Sequence, residues 1–205
     1  MNLEAAVTNV SLFWILTTPH EFAHAWMATR LGDDTPRREG RLTLNPLAHV
    51  DWLGTVILPA FTSLLGGGFL GWGKPVSTDP GRLRGGLRGL ALVALAGPGS
   101  NILLAILLGV LARVAAGPLP ALSNYAAQGV FLSLYLALFN LLPIPPLDGS
   151  KLLLATPSIF MIRVYQELAR FGFVLLIVAM SATDLGRWLS RFSWEGTLLI
   201  LRVFG

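Results

Sequence analysis

The run TTPHEFAHAW, residues 17 to 26, places two histidines and a glutamate inside an otherwise apolar segment. The residues before it read VSLFWIL, and Met27 and Ala28 follow it. Ionisable groups are costly in hydrocarbon, so in a membrane helix they mark a functional site by default. The alternative is a buried polar cluster that is held together by internal hydrogen bonds.

The composition indicates an integral membrane protein. Of 205 residues, 54% are hydrophobic and only 13% are charged, whereas a soluble domain has about 25% charged residues. The length predicts a single membrane-embedded domain over residues 1–205, which we divide into a core at about 3–155 and C-terminal helices at about 156–205. We assign the net charge of +4 to cytosolic loops and not to nucleic-acid binding. The chain has no cysteine, which excludes disulfides, thiolate metal sites and a cysteine nucleophile.

The apolar segments predict an all-α polytopic protein of the cell membrane. A spanning helix needs about 20 apolar residues. Three segments meet this length comfortably, namely 3–28, 89–116 and 125–142. Two more are marginal, namely 171–185 and 197–204, and a further apolar segment at 51–70 ends in GGG.

A small β-hairpin is predicted beside these helices. In GRLTLN, residues 40–45, Leu42 and Leu44 alternate with Arg41 and Thr43, a pattern typical of a strand. Residues 72–78 could supply the partner strand, at the sheet edge because of Pro75. The predicted fold is therefore a helical bundle with a small re-entrant or β-hairpin element near the active site.

The histidines have the spacing of a metal site. His20 and His24 lie one helical turn apart on the same face, so both imidazoles can bind one metal ion. Glu21, next to the first, can polarise a metal-bound water as a general base, which is the H-E-x-x-H arrangement of zinc hydrolases. Pro19 lacks an N–H and should loosen the helix just before the pair.

A third ligand is needed, because catalytic zinc usually takes three protein ligands and a water. Asp148 lies in LLPIPPLDGSKLL, where three prolines prevent a regular helix. Irregular backbone at membrane depth is tolerated where it lines a cavity, so we predict that Asp148 faces the site and completes the zinc ligands. The alternative is an ordinary turn aspartate before Gly149.

Two motifs together resemble the site-2 protease family of intramembrane zinc metalloproteases. HEFAH lies on the first helix, and NLLPIPPLDG matches the family's N-x-x-P-x-x-x-L-D-G at Asn140, Pro143, Leu147, Asp148 and Gly149. RLTLNPLAHVDWLGT, GWGKPV and AGPGSN also resemble the compact branch that lacks PDZ and CBS domains. The resemblance covers about residues 10–155.

The resemblance implies a role for each site residue. His20, His24 and Asp148 would bind Zn²⁺, and Glu21 would activate the water that attacks a peptide carbonyl. Asn140 would hydrogen-bond the substrate or the developing oxyanion, as an asparagine side chain can. The alternative for Asn140 is a hydrogen bond between helices.

The expected function is therefore intramembrane zinc endopeptidase activity. The substrate would be a single-span or multi-span membrane protein in the lipid bilayer, cleaved within or near a transmembrane segment. Residues 40–45, with 72–78, could hold the locally unwound substrate by strand addition. The alternatives are another membrane metallohydrolase, such as a prenyl-protein protease, and a catalytically silent metal-binding scaffold or transporter. The sequence predicts no oligomeric state.

Three other features have more than one interpretation. His49, in NPLAHVD, has three possible roles: it stabilises a tight turn, it contacts a metal ligand from outside, or it is a transient ligand. The first two are favoured. AGPGSN offers small residues, such as Ala96 and Ser100, for close helix packing. Arg82, Arg84 and Arg88 are interpreted as a cytosolic charge cluster.

The depth of the metal site predicts the topology. If residues 51–70 crossed the membrane, Asp148 would lie on the side opposite the histidines, so this segment is predicted to dip in and return. The basic residues before and after it then share one side (Arg30, Arg37, Arg38, Arg41, Lys74, Arg82, Arg84 and Arg88). By the positive-inside rule this side is the cytosol and the N-terminus is outside. Arg187, Arg191 and Arg202 do not fit this scheme, so the C-terminal topology stays open.

Overall fold

The computed structural model of the chain describes residues 3–64, 71–156 and 158–204, with side chains from residue 7 onward except at 62–64. Long helices dominate it. They are α1 (Leu3–Arg30), α4 (Leu87–Ala115), α5 (Pro120–Asn140), α7 (Ile159–Ala182) and α8 (Leu185–Val203). The shorter α-helices are α2 (Thr35–Arg38), α3 (Leu58–Leu64) and α6 (Asp148–Lys151). A π-helical segment at Trp52–Ile57 precedes α3, and 3₁₀ turns occupy Pro46–His49 and Leu152–Ala155.

Helix α4 is the centre of the bundle and contacts α1, α5 and α8. Its buried positions are mostly alanine and glycine, which let neighbouring helix backbones approach closely. A Cβ atom on Gly109 would collide with Ile200 of α8, and one on Gly129 of α5 would lie 2.9 Å from Leu108. The small residues of α4 therefore set the helix packing around the site.

Apolar packing joins α1 to α5 on one side of the site. Leu12, Phe13 and Leu16 of α1 form a buried cluster with Leu132 and Leu136 of α5. A second cluster of Ala28, Leu83 and Val93 lies at the other end of α1. The polar residues of α1 thus lie between two apolar contacts with the rest of the bundle.

The structure changes two of the predicted spans. Among the described residues, α4, α5 and α7 are long and apolar enough to cross a membrane. Helix α1 has the predicted length, running unbroken through Pro19 for 28 residues, but its polar motif lowers its hydropathy and it is not among these three helices. The segment at 171–185 was underestimated, because α7 begins 12 residues earlier and has 24 residues. Both results leave a polytopic all-α protein, as predicted.

The predicted β-hairpin does not form, and the described residues contain no strand. The alternation at 40–45 was misleading, because Arg41 is buried at 5% exposure while Leu44 is 59% exposed. Gly40 has a φ of +69°, a turn conformation that favours glycine. Residues 71–79 form no helix or strand, and their backbone bonds go to other parts of the chain: the Lys74 N–H donates to the His49 carbonyl at 3.0 Å.

Residues 65–70, with the glycines of the apolar segment at 51–70, lie outside the described residues, but the residues that follow them lie next to the start of the segment. The Trp72 N–H donates to the Gly54 carbonyl at 3.0 Å, and the Thr55 hydroxyl donates to the Trp72 carbonyl at 2.9 Å. The helical residues Trp52–Leu64 number 6 and 7 in two elements. At about 1.5 Å per residue they reach about 20 Å, short of a hydrocarbon core of about 30 Å. Both observations fit a re-entrant segment.

Asp33 joins the loop after α1 to the 71–79 segment. Its buried carboxylate accepts the Thr35 N–H at 3.0 Å and the Asp79 N–H at 2.7 Å. Burial opposes ionisation, but these hydrogen bonds outweigh it and lower the pKa of the Asp33 carboxyl below its ordinary value. The Arg84 N–H also donates to the Leu31 carbonyl at 2.7 Å. The two basic loops therefore lie next to each other.

Candidate metal centre

Three buried side chains from two distant parts of the chain converge on one point. His20 and His24 come from α1, and Asp148 begins α6 after the proline-rich turn. Their atoms form a nearly equilateral triangle. The His20 Nε2 lies 3.2 Å from Asp148 Oδ2, the His24 Nε2 lies 3.0 Å from the same oxygen, and the two nitrogens are 3.1 Å apart. The structure thus brings together the three predicted ligands.

The triangle fits a tetrahedral zinc ion. Zinc bonds to nitrogen and oxygen of about 2.0–2.1 Å imply ligand atoms about 3.3 Å apart, close to the three observed separations. Two imidazoles and one carboxylate are also a ligand set known for catalytic zinc. Among the described residues, His20, His24 and Asp148 form the group of histidines and carboxylates whose ligand atoms lie close enough together to hold one metal ion.

The partner of His24 determines which of its ring nitrogens carries the proton. Its Nδ1 lies 2.7 Å from the Val93 carbonyl on α4. A carbonyl only accepts hydrogen bonds, so Nδ1 carries the hydrogen and Nε2 presents its lone pair to the centre of the triangle. Metal-binding histidines commonly donate their other N–H in this way.

Gly97 of α4 lets the helix backbone lie directly against both imidazoles. A Cβ atom on Gly97 would lie 2.5 Å from Cε1 of His24 and 2.7 Å from Cε1 of His20. Gly99, two residues later, has open space at the same position. The small residues of AGPGSN were predicted to serve close helix packing, and Gly97 of this run packs against the two histidines.

Glu21 lies beside the triangle in a cavity of about 420 Å³. Its side chain is 9% exposed. The 71–79 segment covers it, since a Cβ on Gly73 would lie 3.3 Å from Glu21 Oε1. The position next to, and outside, the ligand triangle suits a base and not a ligand.

Asn140 lines the same cavity from the end of α5. Its Nδ2 donates to the Leu136 carbonyl at 3.0 Å, which takes one of the two amide hydrogens. Asn140 thus shares a cavity with Glu21 and the triangle, and its bond to Leu136 leaves one N–H and the side-chain oxygen for other partners.

Lys151 contacts the outer oxygen of Asp148. Its Nζ lies 2.9 Å from Oδ1, while Oδ2 faces the histidines. The ion pair orients the carboxylate so that one oxygen points to the triangle. The spacing of three residues within α6 could have indicated this pair from the sequence, but the lysine was not assigned.

Arg41 anchors the 71–79 segment over the cavity. Its guanidinium donates to the Pro75 carbonyl at 3.1 Å, to the Lys74 carbonyl at 3.4 Å and to the Ala48 carbonyl. Three carbonyls thus surround a buried cation that was expected on a strand face. The sequence carried no signal for this arrangement, because the partners are backbone atoms.

His49 lies outside the triangle. Its Nε2 contacts the Thr43 carbonyl at 2.8 Å, and its ring is 1% exposed. Its backbone carbonyl holds Lys74 of the covering segment. Of the interpretations considered, these contacts favour a structural tie.

The described residues combine three helices that are long and apolar enough to cross a membrane with a buried centre of two histidines, one carboxylate and an adjacent glutamate, an arrangement that fits a membrane-embedded metallohydrolase. Residues 114–180 match Peptidase family M50. The chain is 35% identical over 185 residues to "Putative zinc metalloprotease YwhC" of Bacillus subtilis, which covers 83% of this chain and 78% of that protein. It is 36% identical over 172 residues to a protein of the same description, Rip2 of Mycolicibacterium smegmatis, covering 82% of this chain and 64% of Rip2. No solved structure matches the chain.

The chain belongs to peptidase family M50. This confirms the predicted membership of the site-2 protease family and the predicted enzyme class, a metallopeptidase. The names of the relatives and the donor set both agree with zinc as the predicted cofactor. The matched region includes most of α7, so the family resemblance extends beyond residue 155, where the motifs had placed its end.

Proposed function

We propose that this protein is an intramembrane zinc endopeptidase that hydrolyses a peptide bond within or near a transmembrane segment of a membrane-protein substrate. The observation that carries the proposal is the buried triangle of His20, His24 and Asp148, with Glu21 beside it, inside a bundle of membrane-spanning helices. The protein would be a multi-pass protein of the cell membrane, with the lipid bilayer around α4, α5 and α7.

His20 and His24, through Nε2, and Asp148, through Oδ2, would hold the zinc ion. A bound zinc ion supplies Lewis-acid polarisation of the peptide carbonyl and lowers the pKa of water. The contacts around the triangle support this ligand set, since Val93 orients His24 and Lys151 orients Asp148. These residues keep the ligand atoms in place before the metal arrives.

Glu21 would act as the base. Its carboxylate would accept a proton from the attacking water and deliver it to the leaving amine, the general acid–base role of a glutamate in H-E-x-x-H. The cover provided by Gly73 supports this role, since limited access of bulk water strengthens electrostatic interactions within the cavity.

Asn140 would bind the substrate. The second hydrogen of its Nδ2 is left after the bond to Leu136, and it would donate to the peptide carbonyl as negative charge develops on the oxygen. Preorganised donors of this kind stabilise the transition state of peptide hydrolysis.

The 71–79 segment would hold the unwound substrate. Its residues Trp72 and Lys74 are bonded on one side to residues 49–55, and neighbouring residues of extended chain direct their N–H and C=O to the opposite side. Gly73 lies between them, next to Glu21. Addition of a substrate strand at Gly73 would therefore present a peptide bond to the base.

The test is cleavage of purified single-span substrates in vesicles that contain the zinc-loaded protein, with products located by mass spectrometry. The wild type should cleave, and Glu21→Gln should lose at least about 100-fold in rate while retaining the wild-type zinc content, because Glu21 is not a ligand.

Two results would contradict the proposal. Equal cleavage by the wild type and Glu21→Gln would show that the activity belongs to a contaminant, and loss of zinc from Glu21→Gln would make this residue a ligand. Zinc-loaded wild type that cleaves no member of a substrate panel, but carries zinc across the vesicle membrane, would support the transporter alternative.

A further inference from the structure

Asn101 of α4 is a buried amide without a protein partner in the metal cavity. Its side chain is 1% exposed, and neither Oδ1 nor Nδ2 has a hydrogen-bond partner among the described residues. It lines the cavity together with Thr17, His20 and Glu21. An unsatisfied buried polar group costs about 1–3 kcal/mol, so the geometry calls for a partner within this cavity.

His20 has an unpaired ring nitrogen that could serve as the donor to an unpaired acceptor of Asn101. Its Nε2 faces Asp148 and His24, so Nδ1 must carry the hydrogen when Nε2 donates its lone pair to a metal. That Nδ1 is buried and has no partner among the described residues. His24 differs, because its Nδ1 donates to the Val93 carbonyl.

The register of α1 and α4 places these two groups near each other. The helices are antiparallel along their contact: Ala28 shares a cluster with Val93, whereas Leu104 and Leu108 pack against the cluster that contains Leu12 and Leu16.

Val93, Gly97 and Asn101 follow one another at intervals of one turn on a single face of α4. Val93 bonds to His24, and Gly97 lies against both rings. The next turn, which carries Asn101, therefore faces the end of the site at His20.

We propose that the Asn101 side-chain oxygen accepts the Nδ1–H of His20 through one bridging water, and that Asn101 is thereby the positioning residue of this ligand. The proposal rests on the metal-binding role given to His20 above. A buried water needs two to four polar partners. Thr17 offers a third, since its hydroxyl donates to the Phe13 carbonyl at 2.9 Å and keeps its lone pairs to accept. The bridge would fix the tautomer and the orientation of the His20 ring.

The test compares zinc affinity among purified variants in detergent, measured by competition with a chelator. Asn101→Leu removes the acceptor while keeping a branched side chain of the same number of heavy atoms, and it should weaken zinc binding by about 10- to 100-fold, as loss of an outer partner of a metal ligand does. Asn101→Asp keeps an acceptor oxygen and should bind zinc at least as tightly as the wild type. The matched control is Ser133→Ala, which removes the hydrogen bond to the Asn101 backbone carbonyl and should leave zinc affinity unchanged.

Cobalt substitution supplies a second measurement. The visible absorption of bound Co²⁺ reports ligand geometry, and it should shift in Asn101→Leu but not in Ser133→Ala. If Asn101→Leu does not fold, Asn101→Asp still decides, because a loss of zinc affinity in that variant contradicts the acceptor role.

Wild-type zinc affinity in Asn101→Leu overturns the proposal, and a raised KM with unchanged zinc affinity would place the amide on the substrate instead. Failure of the wild type to bind zinc would refute the proposed function itself and not this inference alone.

Discussion

The three side chains that converge in the structure could be picked out from the sequence one by one, because each has distinctive chemistry in an apolar setting. His20 and His24 stand out by spacing, and Asp148 stands out as a carboxylate in a proline-broken segment. The groups that orient them were not predictable. The Val93 carbonyl belongs to the backbone, and the close approach at Gly97 depends on how two helices pack.

Asp148→Ala tests the third ligand. Without the carboxylate the triangle keeps only two nitrogens, so zinc affinity should fall by more than about 100-fold, beyond the loss expected for an outer partner. His24→Ala should show a similar loss. Equilibrium dialysis with zinc measures both, and Asp184→Ala, an exposed aspartate paired with Arg187, is the control. An Asp148→Ala protein with unchanged zinc affinity would exclude this residue from the ligand set.

Gly97→Ala tests the contact between α4 and the imidazoles. The added methyl group would overlap both rings, and relief of such overpacking typically costs about 1–3 kcal/mol. We expect lower thermal stability and weaker zinc binding. Gly99→Ala has open space at its Cβ and should be neutral or stabilising by up to about 1 kcal/mol. Equal behaviour of the two variants in a thermal unfolding assay would contradict the close approach.

At the scale of elements, hydropathy predicted the helices better than alternation predicted the strands. Helices α4 and α5 agree with the predicted segments at 89–116 and 125–142 within a few residues. The hairpin prediction was wrong because the alternation in GRLTLN was interpreted as a buried apolar face and an exposed polar face. The structure instead buries the side chain of Arg41. A side chain that binds three carbonyls leaves no alternating pattern in a sequence.

Arg41→Met tests the anchor of the 71–79 segment. Removing the guanidinium leaves the carbonyls of Lys74 and Pro75 without their donor, so the segment should open more often. Amide hydrogen exchange at 72–76 should become faster while zinc affinity stays at the wild-type value. Arg38→Met, at an exposed position in α2, is the control. Unchanged exchange in Arg41→Met would show that residues 49–55 hold the segment alone.

At the scale of the whole molecule, two basic loops lie on one side of the bundle. Asp33 bonds to Asp79, and Leu31 bonds to Arg84, which supports our proposal that residues 51–70 are re-entrant and that both loops face the cytosol. The contact of Gly172 of α7 with Pro145, and of α8 with α4, similarly supports a single domain. The predicted topology was argued from the requirement that Asp148 lie at the same depth as the histidines. The length of α7 was underestimated because its first turns are polar.

Cysteine labelling tests this topology, and the chain contains no cysteine that would add background. Pro36 is buried, so the exposed positions Glu39 and Arg82 are suitable. Glu39→Cys and Arg82→Cys should react with an impermeant maleimide from the same side of oriented vesicles, and Gly117→Cys, between α4 and α5, should react from the other. Labelling of Glu39→Cys and Arg82→Cys from opposite faces would show that residues 51–70 cross the membrane.

The spacing of the ligand triangle also bears on which ions the protein can accept. Calcium takes six to eight oxygen ligands, whereas the triangle offers three ligand atoms, two of them imidazole nitrogens, at separations of 3.0–3.2 Å. Two imidazole nitrogens further disfavour calcium and magnesium, which prefer oxygen. Among first-row divalent ions that suit imidazole, affinity rises toward copper and zinc. The donor set of the triangle would thus disfavour the abundant hard cations and leave the choice among the transition metals to their supply in the cell.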